Sequence, residues 1–155
     1  IINEWRKTTF INCWSSADHE SHALWRVYCP TSEAVAIQTT LPKLRASIGD
    51  LKVYPVTYAV PGSEKRTPSI TGLMTQKRPM FAYEREVRIV QTAYTDKEAR
   101  GIGLPWDPAE HLQTIFVHPE ADNSFFESVT ETVGRYAPSL KDVVQWSAMN
   151  ARPPF

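Results

Sequence analysis

The clearest alternation of polar and apolar positions runs from Phe81 to Val90 and ends in a β-branched stretch. Side chains of a β-strand point to opposite faces with a period of two. That period places Arg85, Val87 and Ile89 on one face, and it places three charged side chains on the other, namely Glu84, Glu86 and Arg88. We therefore expect a strand from Tyr83 to Gln91 in the main sheet, with Val87 and Ile89 buried.

Apolar and β-rich runs elsewhere in the chain predict further short strands. They span Thr8–Trp14, Ala34–Thr40, Leu51–Val60, Gln113–Val117 and Val143–Trp146. The strand at Ala34–Thr40 is expected to be buried. Pro55 cannot donate to a ladder, so the strand that contains it is expected to lie at an edge or to carry a bulge.

Between the first two strands, apolar residues recur at helical spacing and predict a helix from about Asp18 to Cys29. Leu24, Trp25 and Tyr28 form its apolar stripe, which we expect to pack against the sheet. Glu20 lies at the margin of this stripe, where it points either into a cleft beside the apolar face or into water.

The most regular helical pattern lies near the end of the chain. Ser124 and Glu127 match a capping box, and an apolar stripe follows at Phe126, Val129, Val133 and Tyr136. Shorter helices are expected at Pro42–Ser47 and Ile70–Lys77. Strands mixed with short helices at irregular intervals indicate an α+β fold, in which short helices pack on a mixed, mainly antiparallel sheet.

Composition narrows the class of protein. The 155 residues are 42% hydrophobic, which is enough for one domain with its own core. The 17 basic and 17 acidic residues leave no global field that would draw the chain to nucleic acid or to an anionic membrane. No apolar run approaches the roughly 20 residues of a membrane span, and no signal peptide is recognisable. We therefore expect a cytoplasmic protein with no membrane partner.

Metal and redox chemistry have little support in the sequence. Cys13 and Cys29 are too few for a disulfide framework and lack a Cys-x-x-Cys spacing, so we expect two buried thiols. His19 and His22 could share a helix face, but no third ligand lies nearby, and no metal site is expected. The chain also has no Gly-x-Gly-x-x-Gly fingerprint and no Walker loop.

The amino-terminal strand raises a question of assembly. It is apolar and begins almost at the first residue. An uncovered strand edge is a template for further pairing. We therefore expect the surface next to Phe10 and Ile11 to be covered by another copy of the chain, giving a homo-oligomer, or by residues that precede this sequence.

Three segments in order carry a family resemblance: Ile11-Asn12-Cys13-Trp14 with Glu20-Ser21-x-x-Leu24-Trp25-x-x-Tyr28, then Val35-Ala36-Ile37-x-Thr39, then Lys77-Arg78-x-x-Phe81-x-Tyr83-Glu84-x-Glu86-Val87-Arg88. They resemble an uncharacterised bacterial and phage family known only as a domain of unknown function (number 2971). The likeness continues through Gly101-Ile102 and Ile115-Phe116-Val117-x-Pro119. Members of that family carry a further amino-terminal part, so the resemblance implies that this chain is the carboxy-terminal part of a longer protein or a shortened member.

Tyr83-Glu84-Arg85-Glu86-Val87 also resembles the Glu-x-Glu strand of ADP-ribosyltransferases, which cleave NAD at its glycosidic bond. By that resemblance Glu86 would hold the nicotinamide ribose and stabilise a sugar cation, and Glu84 would align or deprotonate the acceptor. Residues two apart on a strand lie about 6.6 Å apart on one face, which leaves one carboxylate for each reactant. The chain departs from the family in lacking an early Arg or His anchor for NAD and a Ser-Thr-Ser strand.

Two hypotheses of different classes remain open at this point. In the first, the chain is a transferase or hydrolase of the ADP-ribosyl kind, with a nucleotide ligand, NAD as the substrate and Glu86 and Glu84 as catalytic residues. The nucleotide-binding residues would then be Arg88, Lys77, Arg78, Trp25, Tyr28 and Glu20. In the second, the chain is a non-catalytic binding or interaction domain, in a defence or mobile-element system. The charged strand face would then point to solvent and pair with neighbours such as Lys77 or Arg78.

Overall fold

A computed structural model describes residues 7–60, 62, 69–93 and 100–150. The chain divides into two compact units. The first comprises Ile1–Ala17 with Ile48–Leu104, and the second comprises Asp18–Ser47 with Pro105–Phe155. Strands and short helices alternate irregularly in both, and antiparallel pairs predominate, so the α+β expectation is confirmed.

The first unit is built on a three-stranded antiparallel sheet. Its strands are β1 (Thr9–Ser15), β3 (Val53–Pro55) and β6 (Glu86–Thr92), in the order β1-β6-β3. A second, parallel pair joins β4 (Thr57–Tyr58) to β5 (Gln76–Lys77). Helix α3 (Ile70–Met74) precedes β5, and a 3₁₀ helix (Pro79–Glu84) leads into β6. The edge position expected for the strand with Pro55 is confirmed, because β3 is the last strand of the sheet.

The charged strand begins later than the sequence pattern predicts. Pro79 at the start of the 3₁₀ helix favours a tight helical turn, and Arg85 then adopts a left-handed backbone with φ of 46°. This turn ends the helix, so β6 starts at Glu86 rather than Tyr83. Ile89 is buried as expected, whereas Val87 is only half-buried.

The second unit holds the larger apolar core. Its sheet contains β2 (Val35–Gln38), β7 (Thr114–Val117) and β8 (Val144–Trp146) in the order β2-β7-β8, antiparallel and then parallel. Its helices are α1 (His22–Tyr28), α2 (Leu41–Ser47), α4 (Pro108–His111) and α5 (Asn123–Tyr136), with 3₁₀ turns at Pro138–Val143 and Ala148–Asn150. The core contains Leu112, Ile115, Val117, Leu140 and Val144, and α5 packs on it.

Three expectations for the second unit are wrong in part. Strand β2 is not buried: Val35 and Ile37 are 44% and 46% exposed, because within the described residues β2 pairs with β7 alone. Helix α1 starts at His22, since Ser21 caps it, and Tyr28 at its end is 64% exposed rather than packed on the sheet. Helix α5 is capped by Asp122 instead of Ser124.

Among the residues that the structure describes, no helix is both long enough and apolar enough to cross a membrane.

Candidate functional site

The predicted pair of Glu86 and Arg88 lies on one face of β6 and forms a two-point ion pair. Arg88 Nε donates to Glu86 Oε1 at 2.8 Å, and Arg88 Nη2 donates to Glu86 Oε2 at 3.0 Å. The remaining guanidinium nitrogen, Nη1, donates to the Met74 carbonyl at 2.6 Å, at the end of α3. Because all three nitrogens have acceptors, the guanidinium is fixed in plane and direction.

Glu84 and Lys77 complete a charge cluster, the name used below for Lys77, Glu84, Glu86 and Arg88. The Lys77 ammonium forms an ion pair with Glu84 and also reaches Glu86 Oε2 at 3.3 Å. It lies 4.9 Å from the centre of the Phe81 ring, a cation–π distance. Both carboxylates are buried, at 5% exposure for Glu84 and 7% for Glu86. The expectation that these glutamates pair with Lys77 is confirmed, and the expectation of a solvent-facing strand surface is wrong.

The left-handed turn at Arg85 brings the two glutamates to one ammonium although only Glu86 belongs to a strand. Ser15 Oγ donates to the Glu84 carbonyl at 2.9 Å, and Ser16 N donates to the Arg85 carbonyl at 2.8 Å, so β1 holds the turn in place. The Glu86 amide donates to the Tyr58 hydroxyl at 2.8 Å. The alternating sequence pattern predicted that Glu84 and Glu86 lie two residues apart on one strand. That spacing does not apply, because Glu84 belongs to the 3₁₀ helix and only Glu86 belongs to β6.

The electrostatics of the cluster favour the charged forms of Glu86, Lys77 and Arg88. Burial alone would raise the pKa of Glu86, but hydrogen bonds from Arg88, Cys13 and Lys77 outweigh it and lower the pKa to about 2. Burial would lower the pKa of Lys77, and its bonds to Glu84 and Glu86 instead raise it. The pKa of Arg88 is raised, chiefly by its hydrogen bonds to Glu86. Two cations and two anions thus neutralise each other within one site.

Cys13 lies beside the cluster, since it is opposite Arg88 in the β1–β6 register and therefore on the same face. Burial of its sulfur, a hydrogen bond to Glu86 and the Glu86 charge together raise the pKa of this thiol to about 11. The residue as a whole remains exposed, so the expectation of a buried Cys13 is wrong. A thiol held protonated beside a carboxylate is a poor nucleophile at neutral pH.

The remaining predicted site residues do not join the charge cluster. Arg78 precedes the 3₁₀ helix and is exposed. Glu20, Trp25 and Tyr28 belong to the second unit. There, Glu20 accepts hydrogen bonds from Trp25 Nε1 at 3.1 Å and from the Ala148 amide at 2.8 Å, so its carboxylate ties α1 to the last 3₁₀ turn.

Trp25 is a core residue of the second unit. It is buried, and its ring meets the His118 ring edge-on with 5.0 Å between ring centres. The Nε1–H group is bonded to Glu20, so both the apolar and the polar part of the indole are engaged. Trp25 is therefore placed to stabilise the fold rather than to stack on a ligand.

A small cleft of the first unit was not anticipated from the sequence. It has a volume of about 230 Å³, and its apolar lining consists of Phe10, Ile11, Leu51, Ile89, Ile102 and Leu104. Asn12, Gln91 and Arg100 supply polar groups. The strand register pairs Phe10 with Gln91 and Asn12 with Ile89, which puts these four on the sheet face opposite the charge cluster. The sequence signal for this cleft was the alternation of side chains in β1 and β6, and the sequence does not give the register between those two strands.

The ion pairs within the charge cluster limit the ligands that it could bind. Among the residues that the structure describes, no group of three or more His, Cys, Asp or Glu side chains could hold a metal ion. The charge cluster keeps its own Glu86 carboxylate fixed and ionised. Both of its carboxylates are paired with cations, so neither is free to bind a ligand.

Comparison of the chain with family models, with curated proteins and with solved structures gives no match. The two family resemblances, the number of domains, the nucleotide ligand and the oligomer formed through the amino-terminal strand therefore stay predictions.

Proposed function

We propose that the chain is a non-catalytic binding domain in which the charge cluster is a structural element. The observation that carries this proposal is the pairing of both carboxylates with cations of their own chain: Glu86 with Arg88 and Lys77, and Glu84 with Lys77. Both glutamates are buried, and neither presents a free charge to a reactant. Catalysis needs groups that gain interactions in the transition state, and a carboxylate already neutralised by bidentate arginine has little left to gain.

The placement of the cluster supports the same conclusion. Its members come from β5, the 3₁₀ helix and β6, and Arg88 also binds the last carbonyl of α3. Four short elements, none of which could be stable alone, meet at these side chains. We infer that the cluster fixes the relative position of these elements.

A second candidate function is ADP-ribosyl transfer from NAD, with the roles of Glu86 and Glu84 given above. The low pKa of Glu86 favours it, because a carboxylate that stabilises a sugar cation must be ionised at working pH. This function requires Arg88 and Lys77 to turn from the carboxylates towards the phosphates of the nucleotide. It also requires Glu86 to become accessible, which means breaking a buried ion pair at a cost of about 3 kcal/mol.

One pair of measurements separates the two functions. The parent chain and Glu86→Gln are incubated with NAD, and nicotinamide release is followed by chromatography; urea unfolding of both gives their free energies of unfolding. We expect no nicotinamide release by the parent, and a loss of about 3 kcal/mol in Glu86→Gln. Asp50→Asn, an exposed carboxylate-to-amide change in the same unit, is the matched control and is expected to change stability by less than about 0.5 kcal/mol.

Two results would contradict the proposal. Nicotinamide release by the parent that disappears in a folded Glu86→Gln would establish the transferase. A Glu86→Gln variant as stable as Asp50→Asn would show that the cluster does not stabilise the fold.

A further inference from the structure

The cleft of the first unit has the features of a small ligand site. Phe10 and Ile89 lie on the same face of the sheet and form its floor, while Leu51, Ile102 and Leu104 supply apolar walls. Small-molecule sites combine a mostly apolar lining with a few polar groups that fix orientation. The cleft meets this description within the described residues of one unit.

The polar groups of the cleft include several hydrogen-bond donors, and no anion of the described residues faces them. Arg100 is exposed at the cleft and has no hydrogen-bond or ion-pair partner within the described part of the chain. Asn12 uses its side-chain oxygen to accept from Trp14 Nε1, which leaves its amide hydrogens for the cleft. Gln91 adds a second amide group. None of the cleft-lining residues that the structure describes is acidic, so this polar lining attracts a negative charge.

The contrast with the charge cluster on the other sheet face is direct. There every cation has an anion of its own chain, whereas the Arg100 guanidinium has none among the residues that the structure describes. A guanidinium binds a carboxylate through two parallel hydrogen bonds, and amide hydrogens can add to them. The polar edge of the cleft therefore fits one carboxylate.

We propose that this cleft binds a small hydrophobic carboxylate, with the carboxylate on Arg100 and an apolar ring or branched chain on Phe10 and Ile89. This inference rests on the proposed function, because it names what the binding domain binds. At about 230 Å³, the cleft lies below the roughly 300–1,000 Å³ of sites for drug-sized molecules. A ligand of about ten non-hydrogen atoms fits that size, with a Kd of about 0.1–1 mM.

The experiment uses 3-phenylpropionate as the probe and the full chain labelled with ¹⁵N. Titration is followed by amide chemical shifts, and calorimetry gives the Kd. We expect saturable shifts centred on Ile89, Gln91 and Ile102. Arg100→Gln should weaken binding at least tenfold, while Arg78→Gln, an exposed arginine of the same unit outside the cleft, should leave the Kd unchanged. The neutral analogue 3-phenylpropan-1-ol should bind at least tenfold more weakly, since it cannot pair with Arg100.

Several outcomes would overturn the inference. They are the absence of saturation at 10-fold the highest expected Kd, equal binding of acid and alcohol, and equal binding by Arg100→Gln with an unchanged amide spectrum. Concentration-dependent shifts of the cleft amides without probe, together with dimers in sedimentation, would assign the cleft to a second copy of the chain instead. If the probe does not bind, the inference about the cleft fails, but the outcome of the NAD experiment does not change. If the parent chain cleaves NAD, the proposed function fails regardless of what the cleft binds.

Discussion

Arg88 holds Glu86, two residues before it on the same strand, by two parallel hydrogen bonds of 2.8 and 3.0 Å. Here the third guanidinium nitrogen is anchored to the Met74 carbonyl, which sets the plane of the guanidinium. The ion pair is therefore also a link between β6 and the end of α3.

The first prediction concerns the coupling between these two residues. Arg88→Gln and Glu86→Gln are each expected to lower the free energy of unfolding by about 3 kcal/mol. Glu86→Gln leaves the Arg88 guanidinium without its carboxylate, and Arg88→Gln leaves the buried Glu86 carboxylate with Lys77 alone. The double variant should cost about 1–3 kcal/mol less than the sum. Urea unfolding of the four proteins measures the cycle. Additive losses would mean that the pair is close in space but not coupled in energy.

Acid stability provides a second prediction. The pKa of Glu86 is lowered from 4.5 to about 2 in the folded protein, so its contribution to stability is complete above pH 4.5 and is lost as pH falls towards 2. The difference corresponds to about 3 kcal/mol. Denaturant unfolding between pH 6 and 2 should show a steeper loss for the parent than for Glu86→Gln. Parallel pH profiles of the two proteins would refute the assignment to Glu86.

A third prediction concerns Cys13, whose raised pKa makes the thiol unreactive despite its exposure. With a pKa of about 11, the thiolate fraction at pH 8 is about 100-fold lower than for an unperturbed thiol. Iodoacetamide alkylation in a Cys29→Ser background, followed by mass spectrometry, should therefore be slow. Adding Glu86→Gln should accelerate it, because the negative charge that disfavours the thiolate is removed. Equal rates in the two backgrounds would exclude Glu86 as the cause.

Helix α1 supplies a fourth prediction within the second unit. Trp25→Ala should cost about 3–5 kcal/mol, because the indole is buried against His118 and its Nε1–H group bonds to Glu20. Val27→Ala on the same helix should cost less than about 0.5 kcal/mol, since Val27 is exposed. Thermal unfolding of both variants makes the comparison. A Trp25→Ala variant as stable as Val27→Ala would show that Trp25 does not stabilise the core.

The sequence predicted the fold class, the helix at α2, the strand at β7 and the edge position of the strand with Pro55, because each depends on local periodicity or on proline chemistry. It did not predict where β6 begins. A left-handed arginine is uncommon, so nothing in the pattern Tyr83-Glu84-Arg85-Glu86 indicates a turn there. That single backbone conformation decides whether the glutamates share a strand face or converge on Lys77.

Local sequence patterns also failed to predict the exposure of β2 and the register between β1 and β6. The run at Val35–Gln38 is as apolar as a buried strand, and only the strand order reveals an edge. Similarly, the pairing of Phe10 with Gln91 and of Asn12 with Ile89 creates the cleft, and cross-strand register has no signature in either strand alone. The charged residues of the cluster could be named from the sequence, while their mutual pairing depended on long-range geometry.

The last prediction tests the start of α5, where sequence and structure disagree by two residues. Ser124 and Glu127 match a capping box, yet the Asp122 carboxylate accepts the Phe125 amide at 2.7 Å, and the Asp122 carbonyl accepts the Phe126 amide. Asp122 is therefore the N-cap, and its charge also opposes the positive end of the helix dipole. Asp122→Ala should cost about 1 kcal/mol, and Ser124→Ala less than about 0.5 kcal/mol. Urea unfolding at pH 7 measures both. The reverse order of losses would restore Ser124 as the cap, because a helix loses most when its capping side chain is removed.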